Sequence, residues 1–531
     1  MLLHQLQQWL NGHVLSGRGH VPAMPEKYRS LSLERPVAFA VLLCLSLSLH
    51  AQDPAPVQSS LGVSYEQVSL PGNETMGFAS IGLSQHFTQN MSLGVASYAA
   101  VKGERGGFIT LGFTGEGNWP LDNGWSLEAG GFVGAGGGRG GYMLSGGGLM
   151  LRANAGIGLE LAAAGLPGRL SAGVSHIRFP DGNIASTQPY LSYALPFDSL
   201  IGPGWNYGSA EYSPALAKQL GLRTHEVGVV TRWMAVSDGT RNDTGGAQAD
   251  FDLLGIEWRT WLGRYAYARL ESEGAMGGGA TGYMQILGGV GLRVPLTSRL
   301  TALASASLGG GGGGGVDTGG GFLVDAGVGL QGDITRRWFA EAAIQHLRAP
   351  SASLEANSAA LKLGYRFGLK DSDNSVAVLE PHALRIRAAN QTYIQAADNW
   401  RSHHTNQSVQ NLGVQVDAFI SPEFYLTGQG LAAWHGDAGA YMTGQVGAGR
   451  RIPFSQQFSA ELELLFGAAG GGGLEMGSGL VTQGNAGVVW QATDSLSLHA
   501  SAGYLYALDG MFRAKVAGLA VGYRFTGYSL R

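Results

Sequence analysis

The sequence predicts an all-β fold of antiparallel strands in up-and-down order, each long enough to cross a bilayer. Three observations carry this. The first is composition: 87 of 531 residues are glycine and only 14% are charged, where soluble domains carry about 7% and about 25%. The second is that no run of 18 apolar residues exists, so a spanning helix is not expected. The third is alternation of period two, which marks strands with one apolar and one small or polar face. A disordered glycine-rich chain would lack both this alternation and the 11 Trp, 19 Tyr and 19 Phe present here.

The strands are organised by a repeat. A 22-residue ending occurs at His176 to Phe197, His346 to Phe367 and Tyr504 to Phe525, and internal repeats set the unit of architecture. In the third copy Leu519, Val521, Tyr523 and Phe525 alternate with Gly518, Ala520, Gly522 and Arg524. In the second, Leu361, Leu363, Tyr365 and Phe367 alternate with Ala360, Lys362, Gly364 and Arg366. In the first, Leu191, Tyr193, Leu195 and Phe197 alternate with Ser192, Ala194 and Pro196.

Residues 1–51 are read as an amino-terminal extension and export signal. Lys27, Arg29 and Arg35 precede the apolar stretch Val37 to Leu49, which is too short to span and fits a cleaved signal. Met24 is a candidate start. Cys44, the single cysteine, lies inside that stretch, so the mature chain has no thiol for disulfides or metals. Arg18, Lys27, Arg29 and Arg35 against Glu26 and Glu34 give this segment +2, so its removal takes the formal charge from −4 to −6. Mild acidity offers no electrostatic case for nucleic acid.

Repeat one is placed at 61–197, where Ile109, Leu111 and Phe113 alternate with Thr110, Gly112 and Thr114. A linker is placed at 198–224 and repeat two at 225–367, with Met284, Ile286, Gly288, Val290 and Leu292 on one face. A second linker, 368–381, leads to repeat three at 382–525. Its eight expected strands are 382–396, 408–421, 423–433, 440–452, 458–472, 479–493, 495–507 and 512–525. A tilted spanning strand needs about 9 to 11 residues. Links from even to odd strands are tight, as at Thr88-Gln89-Asn90, Leu296-Thr297-Ser298, Ser421-Pro422 and Thr493-Asp494, whereas Ser237 to Gln248 and Ala397 to Gln407 are long. Short turns on one rim and longer loops on the other fit a transmembrane β-barrel.

Each repeat carries a glycine run between its fifth and sixth strands: 134–141, 309–315 and 467–473. A strand rather than a helix follows, and no Lys-Ser or Lys-Thr closes the run, so a phosphate cradle is not the reading. Sharp bending or close packing in a narrow barrel is expected instead, with a flexible hairpin tip as the other option.

The closing strands Leu363-Gly364-Tyr365-Arg366-Phe367 and Val521-Gly522-Tyr523-Arg524-Phe525, with the export signal and strand meander, make the chain resemble bacterial outer-membrane β-barrel proteins. The resemblance covers about residues 60–525. It implies residence in the outer membrane, contact with outer-membrane lipids and insertion by the outer-membrane assembly machinery. One departure is that Thr526 to Arg531 follow the last Phe, where that class usually ends.

The fold class expected is therefore an all-β, antiparallel up-and-down transmembrane barrel architecture of about 24 strands. They form three eight-stranded units or, alternatively, one large barrel of roughly 24 strands. Narrow barrels are filled by side chains, whereas wide ones enclose water. Glu461, Glu463, Lys515 and Arg524 are expected to face inward and pair. The function expected is a non-enzymatic membrane protein, either passive pore or scaffold and surface-loop binder. A lipid-modifying enzyme and a secreted glycine-rich adhesin are the alternatives. No catalytic, cofactor-binding or metal-binding set is assigned. The nearest candidates are His176 with Ser175, Asp181 and Arg178, and His346 with Arg348. A possible metal group is His403-His404 with Asp398 and His382. The histidines on strands read better as residues of the lipid-belt rim, and the pair as part of a surface loop.

Overall fold

The computed structural model describes residues 55–205, 210–212, 223–367, 377–394, 400 and 408–530. The export signal and Cys44 lie outside the described residues, as do Asp398, His403 and His404. The described residues form antiparallel strands that close into rings of eight. Ring one comprises β1 (Ala55–Leu70), β2 (Glu74–His86), β3 (Met91–Lys102), β4 (Ile109–Pro120), β5 (Trp125–Gly137), β6 (Leu149–Glu160), β7 (Arg169–Arg178) and β8 (Ala185–Pro203), with a short helix α1 (Gly141–Ser145) between β5 and β6. A short strand β9 (Ala210–Tyr212) follows. Ring two comprises β10 (His225–Val236), β11 (Phe251–Trp261), β12 (Ala266–Gly278), β13 (Met284–Pro295), β14 (Leu300–Gly312), β15 (Phe322–Asp333), β16 (Trp338–Arg348) and β17 (Glu355–Phe367). Ring three comprises β18 (Ala377–Ile394), β19 (Val409–Phe419), β20 (Phe424–His435), β21 (Met442–Pro453), β22 (Phe458–Gly470), β23 (Leu480–Gln491), β24 (Leu496–Ala507) and β25 (Arg513–Leu530).

Within each ring every strand pairs with its neighbours in sequence and the first with the eighth, while β9 pairs with β18. The closing registers run from Ala55↔Ile201 to Glu66↔Tyr190, from His225↔Phe367 to Val236↔Ala356, and from Leu379↔Leu530 to Ile394↔Lys515. In the hydrocarbon core this closure removes the unpaired backbone of an open edge. The link from Phe197 onward begins as strand rather than linker: β8 runs to Pro203, and residues 377–381 belong to β18. Residues 526–530 likewise continue β25, pairing with β18 and, through Thr526↔Gly202 and Gly527↔Ile201, with β8. The extra residues after Phe525 therefore join rings one and three into one continuous sheet.

The side-chain pattern is inverted relative to a soluble core. Along β17, Leu361 and Leu363 face outward and are exposed, while Lys362 and Arg366 face inward and are buried. Arg232 and Arg385 are 0% exposed, yet Ile344 is 65% and Leu464 68% exposed. Apolar outside and polar inside is the arrangement of a lipid-embedded barrel.

Candidate functional site: filled interiors and a glycine seam

The inward face of each ring is layered. Toward the rim that carries the odd-to-even links (the loop rim) lies an apolar plug. In ring one it is built from Phe78, Tyr98, Phe108, Phe132 and Phe179, with Phe108 and Phe179 edge to face at 5.6 Å. Tyr283, Phe251, Leu323 and Leu347 fill the same place in ring two, and Tyr393, Tyr441, Leu505 and Phe512 in ring three. Alternation alone sends apolar residues to the lipid face and so does not mark these plugs. Their signal was phase: Ile177 and Phe179 lie out of step with His176.

Below the plugs the charges pair. In ring one Arg152 meets Glu66 at 2.8 Å, and Gln188 donates to the same carboxylate at 2.8 Å. In ring two Arg232 lies between Glu271 and Glu273, Arg259 meets Glu341 at 2.6 Å, and Lys362 meets Glu257 at 2.7 Å. In ring three Arg385 bridges Asp417 and Glu461, both at 2.7 Å, and Arg387 holds Asp417 and Glu463. Charges taken out of water persist only when matched in this way. The expected inward pairing therefore holds for Glu461 and Glu463. Arg524 is buried with its guanidinium 4.0 Å from the ring of Trp205. Lys515 is a correction: it is exposed, on the same outward face as Leu519. The error was one of phase, since Lys515 is four residues from Leu519 and a period of two keeps it on that face.

A void of about 30 Å³ lies in ring three beside Arg387, Glu463 and His499, and one of about 10 Å³ in ring two beside Arg259 and Glu341; these hold a water or two at most. The turn-rim mouth of ring three is also occupied. Trp205, from the link after β8, donates its indole N–H to the Leu384 carbonyl at 3.0 Å and lies 4.1 Å from the Phe419 ring.

The histidine candidates come apart. Ser175 faces inward and donates to Glu66, whereas His176, the next residue, faces outward and bonds Thr187 at 2.8 Å. Neighbours on a strand point to opposite faces, so they make no dyad. His346 is exposed on the outward face and bonds Asn357 at 3.0 Å. His382 bonds the Ser529 hydroxyl at 2.7 Å and meets the Phe367 ring edge to face at 5.1 Å. Among the described residues no His, Cys, Asp and Glu group suited to a metal is found.

Each glycine run meets glycines in the link that follows the third strand of another ring. The fifth strand of each ring lies against the third strand of another: β14 on β3, β22 on β12, and β5 on β20. A Cβ placed on Gly137 would lie 1.6 Å from the Gly439 carbonyl oxygen; on Gly312, 2.6 Å from the Gly107 nitrogen; on Gly470, 2.5 Å from the Gly282 Cα. Each seam also holds a hydrogen bond: Ser145 Oγ to the Gly439 carbonyl at 2.7 Å, Gly106 N–H to the Gly319 carbonyl at 2.8 Å, and Thr281 Oγ1 to the Gly477 carbonyl. The close packing expected of the runs is real, but much of it is between rings. Three head-to-tail contacts that return to the start form a closed cycle, the logic of a cyclic trimer within one chain.

No family model matches the chain, and no curated protein matches it. Among solved structures it is similar to the siderophore receptor PirA from Pseudomonas aeruginosa, at 11% identity and TM-score 0.26 over 90% of this chain and 81% of that one. It is similar to the ferric enterobactin receptor of the same organism at 11% identity and TM-score 0.26, over 88% and 80%. A de novo designed transmembrane β-barrel is matched at 12% identity and TM-score 0.20 over 27% of this chain and 97% of that one. These likenesses are too distant to bring a function to this chain. Its own all-β, inside-out barrel architecture is consistent with the bacterial outer-membrane β-barrel class.

Proposed function

We propose that the chain is a non-enzymatic scaffold of the bacterial outer membrane: three eight-stranded barrels held side by side, with the joined loop rims displayed outward as a binding surface. The observation that supports this reading is the filling of the rings. An apolar plug fills the loop-rim end of each ring and a charge network lies below it, with Trp205 in the mouth of ring three; the voids beside Arg387 and beside Arg259 measure about 30 Å³ and about 10 Å³. An eight-stranded barrel has an interior that side chains just fill, so a passive pore is the weaker reading. Lipids of the outer membrane and its assembly machinery are the partners this reading entails. The enzyme alternative loses its best pair, since Ser175 and His176 face opposite ways. The test is conductance of the full chain in planar lipid bilayers. Insertion without discrete current steps is the expected result; long-lived, uniform steps at every insertion would establish a pore and overturn the scaffold reading.

A further inference from the structure

We propose that each ring carries, on its lipid-facing side at the loop rim, a site for the phosphate of an anionic lipid headgroup. The proposal rests on the membrane reading above. The site is one cross-strand position of the seventh and eighth strands. In ring one Val174, His176 and Arg178 share the outward face of β7, and the register sets His176 opposite Thr187 and Arg178 opposite Ala185. In ring two Ile344, His346 and Arg348 share the outward face of β16, opposite Ala359, Asn357 and Glu355. In ring three β24 has Tyr504 and Tyr506 at these places, but the facing strand supplies the bases: Tyr504 is opposite Lys515 and Tyr506 opposite Arg513. The positive charge has changed strand and kept its place.

Two features point to a lipid headgroup. One is depth. Two outward positions toward the middle of each ring from Arg178, Arg348 and Lys515, the same face is aliphatic and exposed, at Val174, Ile344 and Leu519, so the basic residues sit where hydrocarbon gives way to headgroups. The other is charge. Interior arginines such as Arg152, Arg232, Arg259 and Arg385 are matched by carboxylates, but no ion pair within 4.0 Å joins Arg178, Arg348, Arg513 or Lys515 to a described acidic residue. Arg513 lies 4.6 Å from the Tyr506 ring and donates to its hydroxyl at 3.3 Å, which holds the guanidinium at the surface. A guanidinium offers paired donors to a phosphate. Glu355, 3.6 Å from His346 Nε2 and across from Arg348, weakens the site of ring two. Ring three is the strongest and ring two the weakest.

The test uses the full chain released from mixed phosphatidylcholine and phosphatidylglycerol micelles, with retained lipid counted by native mass spectrometry. The wild-type chain retains phosphatidylglycerol preferentially. Each basic residue removed lowers that retention roughly fivefold, so Arg178→Gln, Arg348→Gln, Arg513→Gln and Lys515→Gln together abolish the preference. Arg513→Lys with Lys515→Arg keeps it, and Glu355→Gln raises retention. Equal retention of the two lipids by the wild type, or unchanged preference in the quadruple variant, overturns the site; binding of an acidic protein surface instead gives that outcome. Heat-modifiable gel mobility of the same samples tests the membrane reading separately. A chain that shifts on boiling but shows no lipid preference sinks the site alone.

Discussion

Arg385 shows what a single side chain does in a ring surrounded by lipid. It is 0% exposed and meets Asp417 and Glu461, while Tyr425 donates to Glu461 at 3.1 Å. Removing the guanidinium leaves Glu461 without its arginine and Asp417 with Arg387 alone, and breaking a buried pair costs about 3–5 kcal/mol. Arg385→Met is therefore expected to lower the stability of the full chain by that amount, read from the urea midpoint of its gel mobility. Leu464→Ala, at a position 68% exposed, is expected to change it by under about 1 kcal/mol, the reverse of a soluble core. The inward side of Glu461 and Glu463 was legible from alternation with Leu462 and Leu464. Their partners were not, because Arg385 and Asp417 come from strands far away in sequence and their meeting depends on ring closure. At Lys515 phase outranks opposite-sign pairing: a period of two sets its face, and at the rim a charge faces outward at little cost.

At the scale of elements, the glycine runs show what a local pattern leaves open. Their place at the end of the fifth strand was visible, and close backbone approach is what strand glycine signals. Whether the approaching backbone belongs to the same ring or another is a long-range property that no local sequence holds. In the structure Gly470 faces Gly282 of ring two and Gly137 faces Gly439 of ring three. A side chain at either place must push one ring off the other, and overpacking of this kind costs about 1–3 kcal/mol. Gly470→Val is expected to lower the unfolding midpoint of the full chain and to make the 279–283 link newly open to protease. Retention of the wild-type midpoint and cleavage pattern would mean that the seam contributes nothing to holding the rings together. The aromatic plugs went unread for a related reason: Phe78, Phe108 and Phe179 come from different hairpins, and nothing in one strand tells an apolar residue inside a ring from one outside it.

At the scale of the molecule, the rings differ in how far each depends on the others. Ring two closes on β10 and β17 alone, and its interior bases Arg232, Arg259, Arg269 and Lys362 find their acids within the ring. Ring three does not stand apart in the same way. Its β25 pairs with β8, its β18 pairs with β9, and Trp205 from the link after ring one sits against Phe419 and Leu384 in its turn-rim mouth. Residues 225–367 expressed alone are therefore expected to refold in detergent to a β-rich species whose gel mobility shifts on boiling. Residues 377–531 alone are expected to refold with lower stability, and to regain it when Trp205 and the end of β8 are supplied as a peptide covering 197–212. Trp205→Ala in the full chain should reproduce part of that loss while leaving the 225–367 fragment, which lacks the residue, as the reference. If neither fragment folds while residues 52–531 do, the rings are not separate folding units, and stability must be credited to the closed cycle of seams, in which each ring completes the next.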